Sequence, residues 1–136
     1  MHTTPYLFFN GNCAEALSFY EKAVGAVRGE THIYGSMPGA ADHIPADKHD
    51  QIMNASFHIG DSLLMASDAI MGEPTIPGGF SICINTFSIE EAEKVFAGLS
   101  DGAAITMALA PTFFAERFGQ LVDRFGVSWM VIFEKK

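Results

Sequence analysis

The sequence runs through the same order of predicted elements twice, and this repeat constrains the fold more than any other feature. In the first half, a strand at Pro5–Asn10 precedes a helix and three further strands that end at Ser67. In the second half, a strand at Phe80–Thr86 precedes a helix and three strands that end at Glu134. The order βαβββ therefore occurs twice. Joined, two such halves can cover the back of a curved sheet with helices and leave its front as a cup, which predicts an α+β fold.

Local signals mark the start of both predicted helices. Ser88 with Glu91 three residues later is a capping box, in which side chains satisfy free N–H groups of the first turn. Asn12 with Glu15 has the same spacing, with Asn in the place of Ser. Asn12 is therefore predicted to cap the first helix.

The clearest predicted hairpin joins Asn54–Ile59 to Ser62–Ser67 through the two-residue turn Gly60-Asp61. This turn pairs Ser56 with Met65, and side chains alternate between the two faces of a strand. One face is wholly apolar and suits packing under a helix. It comprises Ala55, Phe57, Leu64 and Ala66. The other face mixes polar and apolar side chains. It comprises Asn54, Ser56, His58, Leu63, Met65 and Ser67.

The strands of the second half divide in the same way. The apolar set is Ile82, Ile84, Trp129, Val131 and Phe133, and the mixed set is Ser81, Cys83, Asn85, Ser128, Met130 and Ile132. A mixed surface is typical of a small-molecule pocket, although a half-exposed antiparallel sheet also presents polar residues to water. Leucine and methionine on this face favour the pocket.

Charge and composition exclude several classes of protein. The 16 acidic and 8 basic residues give a net charge of −8, which would repel a nucleic acid. No apolar run is long enough to span a membrane, and the N-terminus lacks a secretory signal. Two cysteines are too few for a disulfide framework. We therefore expect a cytoplasmic protein whose partner is neither nucleic acid nor membrane.

Three segments carry a family resemblance: PYLFFNGNCAEALSFYEKAVGA at the N-terminus, SDA after the hairpin, and TFFAERFGQLVDRFGVSWMVI near the C-terminus. They resemble the PhnB-like branch of the glyoxalase, bleomycin-resistance and extradiol dioxygenase (vicinal oxygen chelate) superfamily. The resemblance implies paired βαβββ modules, a cupped, antiparallel-rich mixed sheet with helices on the back, and a homodimer. It implies a single domain over residues 1–136, with modules at about 1–68 and 79–136. This branch is often labelled demethylubiquinone methyltransferase, but no Gly-rich loop follows a strand to seat a methyl donor.

The metal site of the superfamily is the main departure from the resemblance. Metal-dependent relatives place His, Gln or Glu on four strands, at positions that correspond here to Pro5, Met65, Ser81 and Met130. None of these is an ordinary ligand of a divalent ion, so we expect neither a metal nor another cofactor. His43 and His49 lie in an acidic loop where a metal could also be imagined, although ordinary loop composition explains them as well.

Other single residues allow two interpretations each. Cys13 near a helix N-terminus could have a lowered pKa, or simply pack in the core. Asp68 could orient a ligand or cap backbone amides. Phe114 and Arg117 precede the penultimate predicted strand, where they could close the cup, and Arg117 could hold an anion.

The main hypothesis is a small-molecule-binding protein that works without a metal. The predicted ligand contacts are Asn54, Ser56, Met65, Ser67, Asp68, Ser81, Phe114, Arg117 and Met130. Neither a metal set nor an acid–base pair is evident, which favours binding over turnover. The alternatives are a glyoxalase- or dioxygenase-type metalloenzyme and a scaffold whose interface is its function.

Overall fold

The computed structural model describes residues 1–74 and 76–135, and it divides the chain into two compact units, Met1–Thr75 and Ile76–Lys136. Thr75 and Lys136 lie outside the described residues. The first unit contains β1 (Tyr6–Phe9), α1 (Cys13–Val24), β2 (Val27–Ile33), α2 (Ala40–His43), β3 (Ile52–Ile59) and β4 (Ser62–Asp68). The second unit contains β5 (Ile82–Asn85), α3 (Ile89–Leu99), β6 (Ala104–Ala110), β7 (Ala115–Val122) and β8 (Ser128–Glu134).

Each unit builds a four-stranded mixed sheet from its own strands. The strand order is β1-β4-β3-β2 in the first unit and β5-β8-β7-β6 in the second. In both sheets the first strand pairs in parallel with the last, and the other neighbours are antiparallel. The α+β class and the repeated βαβββ order are therefore confirmed.

One helix packs against each sheet through a stripe of apolar side chains at helical spacing. On α1 the stripe is Cys13, Ala16, Leu17 and Tyr20, and on α3 it is Ala92, Phe96 and Leu99; all are buried. Tyr20 stacks on Phe57 of β3 with 6.2 Å between ring centroids. Phe96 approaches β7 so closely that a Cβ on Gly119 would lie 2.7 Å from its ring. Glycine at this position therefore allows α3 to pack closely against the second sheet.

The register of the predicted hairpin is confirmed. Ile59 pairs with Ser62 and Ser56 pairs with Met65, as a two-residue turn requires. The apolar face is the one under the helix, because all four of its side chains are buried. They are Ala55, Phe57, Leu64 and Ala66.

The two helix starts differ from each other. The Ser88 hydroxyl accepts a hydrogen bond of 3.0 Å from the Glu91 N–H, so Ser88 caps α3 as predicted, and the Glu91 carboxylate accepts over 3.0 Å from the N–H of Phe87, one residue before the cap. The prediction for α1 is wrong, because the Asn12 side chain accepts a bond from Asn10 instead of from the helix. The first helical N–H, that of Cys13, donates over 2.9 Å to Asp68, which lies 55 residues further along the chain.

Two predicted boundaries also change. β7 begins at Ala115, so Arg117 lies inside the strand and not before it, where it had been predicted. The stretch around His43 and His49, predicted as a loop, contains the short helix α2 and a 3-10 turn at Ala46–Lys48. None of the helices in residues 1–74 and 76–135 combines the length and apolar character that a membrane span needs.

Candidate functional site

The candidate site is the side of the first sheet that faces away from α1, which we call the open face. Its members follow from strand register. They are Tyr6, Phe8, Asn54, Ser56, His58, Leu63, Met65 and Ser67. Met65 stands between Tyr6 of β1 and Ser56 of β3. Four of the predicted ligand contacts, Asn54, Ser56, Met65 and Ser67, are therefore brought onto one surface, although Ser67 itself is buried.

Two aromatic side chains on this face were not singled out from the sequence. The rings of Tyr6 and Phe8 lie 5.0 Å apart, with 36° between their planes. They are 37% and 54% exposed. The Asn54 side-chain amide donates to the Tyr6 hydroxyl over 3.2 Å. β1 reads Tyr-Leu-Phe-Phe, with aromatic residues on both sides, so alternation alone could not reveal these two. The parallel pairing of β1 with β4 would have done so.

The charged groups of the first sheet lie at its margin or on its other side. His32 pairs with Asn54, and its Nε2 atom lies 3.6 Å from a carboxylate oxygen of Glu30. Arg28 lies on the α1 side, where its guanidinium donates to the Glu21 carboxylate over 3.0 Å. The four strands contain no lysine and no other arginine. No fixed cation therefore belongs to the open face.

The second sheet has a comparable surface on the side away from α3. Cys83 pairs with Met130, which also pairs with Gln120. The hydroxyls of Ser81 and Ser128 are 2.6 Å apart. Ser81 immediately precedes β5, and Met130 lies on β8, which pairs with β5, so these two predicted site residues lie close to one another in sheet position.

Phe114 and Arg117 are not brought together. Phe114 is half exposed, and its ring lies 5.1 Å from that of Phe118, which shares a face with Ile132. Arg117 pairs with Phe133 on the α3 side, where its Nε donates to Glu93 over 3.4 Å. The Arg117 guanidinium therefore already has an acidic partner on the helix side of the sheet.

Asp68 has the contacts of a structural cap. One carboxylate oxygen accepts from the N–H groups of Gly11 and Cys13, and the other accepts from Ile52 N–H, each over 2.9 Å. Its backbone carbonyl accepts from the Tyr34 hydroxyl over 2.7 Å. The side chain is buried. These bonds tie the start of α1 and the start of β3 to the end of β4, which matches the backbone-capping alternative.

The two cysteines differ in exposure. Cys13 has no exposed surface, whereas Cys83 is exposed. Burial raises the pKa of the Cys13 thiol to about 12, and the nearby negative charge of Asp68 adds to the rise. Burial also raises the pKa of Cys83, with a smaller effect from Glu134. Proximity to a helix N-terminus therefore does not activate Cys13, and the core-packing interpretation holds.

The two thiols should differ strongly in reactivity. In native protein we expect a disulfide reagent to modify Cys83 and to leave Cys13 unmodified, because a buried thiol with a raised pKa supplies almost no accessible thiolate. Labelling at mildly alkaline pH, with mass spectrometry of the peptides, measures both sites. The Cys83→Ala variant should then react only after denaturant is added. Rapid labelling of Cys13 in folded Cys83→Ala protein would contradict this prediction.

The residues that the resemblance places at the metal positions of the superfamily do not fit a divalent ion. Pro5 offers no side-chain donor, and its carbonyl already accepts from the N–H of Met65 over 2.9 Å. Met65 and Met130 offer thioethers and Ser81 a neutral hydroxyl, none of which is a usual ligand of zinc or manganese. The described part of the chain also contains no group of three or more His, Cys, Asp or Glu side chains that could hold a metal. His49, one of the two loop histidines considered above for a metal, has its Nε2 atom 2.9 Å from the Ile44 carbonyl.

Comparisons with known proteins agree over nearly the whole chain. The family model described as 3-demethylubiquinone-9 3-methyltransferase matches residues 1–132. Protein YjdN of Escherichia coli strain K12 is 33% identical over 138 residues, which cover 96% of this chain and 94% of that protein. The structure of protein PA1353 from Pseudomonas aeruginosa is 42% identical, covers 100% of this chain and 99% of its own, and superposes with a TM-score of 0.87.

Two further structures place the fold. The PhnB protein from Bacillus cereus is 26% identical, covers 98% of this chain and 99% of its own, and has a TM-score of 0.80. A glyoxylase/bleomycin resistance protein/dioxygenase domain from Frankia sp. EAN1pec is 11% identical, covers 99% of this chain and 98% of its own, and has a TM-score of 0.71. The second likeness concerns the fold alone, and it confirms the predicted glyoxalase/bleomycin-resistance fold.

Proposed function

The chain belongs to the family described as 3-demethylubiquinone-9 3-methyltransferase, and we propose that it is a small-molecule-binding protein that uses no metal ion at the usual position of its superfamily. The observation that carries the proposal is the open face of the first sheet. There, two exposed aromatic rings share one face with the side-chain amide of Asn54, which donates to Tyr6, and with Met65, which is in register with Tyr6.

This mixture of side chains suits a small organic ligand. Aromatic and methionine side chains supply contact area, and a few fixed polar groups orient the bound molecule. Asn54 is held in place by its bond to Tyr6, so its amide is positioned before a ligand arrives. The remaining predicted contacts on this face are the hydroxyls of Ser56 and Ser67. Ser81, Phe114 and Met130 belong to the second unit and would act there.

Asp68 and Arg117 do not enter the proposal. The Asp68 carboxylate already accepts three backbone hydrogen bonds, and Arg117 already pairs with Glu93. A ligand that recruited either side chain would first have to break these contacts.

A ligand screen by thermal shift tests the binding proposal. We expect a ligand that raises the midpoint of unfolding of the wild-type protein. Asn54→Ala and Met65→Ala should weaken its binding by about tenfold or more, because each removes a contact at the centre of the face. The exposed residue Lys94 on α3 gives a matched control, and Lys94→Ala should bind as the wild type does. Equal affinity in all four proteins would place the ligand elsewhere and contradict the proposal.

The same preparation, purified without an affinity tag, tests the absence of metal chemistry. Stoichiometric zinc, nickel, iron or manganese that survives dialysis, and that is lost in Met65→Ala protein, would favour the metalloenzyme alternative. Methyl transfer from S-adenosylmethionine to a demethylated quinone, abolished by the same substitution, would show that the family description applies to this chain.

We also propose a homodimer, as the resemblance implies, for which light scattering would measure twice the 14.7 kDa of one chain.

A further inference from the structure

The paired rings of Tyr6 and Phe8 set the shape of molecule that the open face can hold. Their centroids are 5.0 Å apart, and both side chains are exposed. Aromatic rings stack favourably on other flat rings in offset or tilted arrangements. Met65 is in register with Tyr6, so its polarisable side chain lies on the same face as the pair. A flat ring system can therefore stack on the aromatic pair on the same face that presents Met65.

The hydrogen bond at Tyr6 sets the polar group that such a molecule would carry. The Tyr6 oxygen accepts from the Asn54 amide, so the phenolic hydrogen is directed elsewhere and can be donated. An oxygen on the ligand that accepts a hydrogen bond, such as a carbonyl, meets this requirement. It would be held at the edge of the aromatic pair.

The charged residues around the open face determine which ligand charge it disfavours. The only arginine of these strands, Arg28, lies on the opposite side and pairs with Glu21. His32, at the margin of this face, lies 3.6 Å from the carboxylate of Glu30. An anionic group on this face would lose hydration without gaining a lysine or arginine partner from these strands, in a chain of net charge −8.

We propose, on the basis of the proposed function, that the open face binds a planar aromatic molecule that carries an uncharged hydrogen-bond acceptor and no anionic group. The aromatic pair recognises the ring, the Tyr6 hydroxyl recognises the acceptor, and the missing cation excludes carboxylates and phosphates. This assigns a chemical class to the ligand of a surface whose occupant is otherwise undefined.

Three matched probes separate these requirements. Methyl naphthyl ketone has the ring and the neutral acceptor, naphthoate keeps the ring but adds a negative charge, and methyl decalinyl ketone keeps the acceptor but loses aromaticity. Binding is followed by changes in the amide NMR signals of isotope-labelled protein at about pH 8, where histidine is ordinarily neutral. We expect the aromatic ketone to shift signals of β1, β3 and β4. The other two probes should bind at least about tenfold more weakly than the aromatic ketone.

Two conservative variants tie the binding to the aromatic pair. Tyr6→Phe keeps the ring and removes the donor, and Phe8→Leu keeps the apolar bulk and removes the ring. Each should weaken binding of the aromatic ketone several-fold, by about three- to tenfold. Phe87 is 86% exposed and belongs to neither sheet, so Phe87→Leu is the matched control. Thermal unfolding of each variant verifies that it is folded.

The outcomes distinguish this inference from the proposed function. If naphthoate or the saturated ketone shifts the same signals with equal affinity, the ligand class is wrong while the open face remains a binding surface. If both conservative variants bind the aromatic ketone as the wild type does, the assignment to Tyr6 and Phe8 is overturned. If none of the probes moves a signal of β1, β3 or β4, and no ligand from the thermal-shift screen does so either, the proposed function fails as well.

Discussion

Asp68→Asn is expected to lower the free energy of unfolding by about 2–4 kcal/mol, although the two side chains have nearly the same size. The carboxylate accepts from Gly11 and Cys13 on one oxygen and from Ile52 on the other. An asparagine has only one oxygen, so its amide group must face at least one of these N–H donors. A buried donor is then left without an acceptor, and the start of α1 or of β3 is no longer held.

Denaturant unfolding followed by circular dichroism measures this effect. Asp61 lies in the exposed turn between β3 and β4, so Asp61→Asn provides the same chemical change without buried partners. Its expected effect is within about 0.5 kcal/mol. If Asp68→Asn cost no more than Asp61→Asn, the three N–H groups would have to find other acceptors, and the capping role would be refuted.

Asp123→Asn is the second substitution from which we expect a large loss, again of about 2–4 kcal/mol. Asp123 follows β7 and is buried. One of its oxygens accepts from the N–H groups of Phe125 and Val127, over 2.8 and 3.0 Å, and the other accepts from the indole of Trp129 over 2.8 Å. In asparagine, the amide group would oppose either the indole N–H or the two backbone donors. The turn between β7 and β8 would lose its anchor in the core.

Trp129 allows this loss to be apportioned. It is the single tryptophan of the chain, so Trp129→Phe also removes the fluorescence signal, and circular dichroism follows the unfolding of all four proteins of the cycle. In a Trp129→Phe background the indole donor is absent, and the Asp123→Asn amide can turn towards the empty position. We therefore expect Asp123→Asn to cost at least about 1 kcal/mol less in that background than in the wild type. Strictly additive losses would show that the indole bond contributes nothing of its own.

Features that depend on neighbouring residues were predictable from the sequence. The hairpin register followed from Gly60-Asp61, because a two-residue turn fixes which residues pair. The apolar and mixed faces then followed from alternation. The cap of α3 followed from Ser88 and Glu91, which lie within one turn of each other.

Features that depend on distant residues were not predictable in this way. The N-terminus of α1 carries a plausible local cap in Asn12, yet Asp68 of β4 takes that role once the fold brings it within reach. The aromatic pair on the open face depends on the parallel pairing of β1 with β4, which no turn specifies. The side chain of Arg117 could be oriented only after the bounds of β7 were known. In each case the missing information is a contact between residues far apart in sequence.

The separate strand sets of the two sheets have a consequence for how the chain is made. Every strand of the first sheet lies within residues 6–68, so none of its backbone bonds waits for a partner that the ribosome has yet to add. Asp68, whose carboxylate joins the start of α1 to the start of β3, is the last residue of the last strand of that sheet. At about 5–20 residues per second, synthesis of the second half takes several seconds, whereas hairpins form in microseconds. The nascent first half can therefore settle its strand register before strands of similar pattern emerge to compete for it.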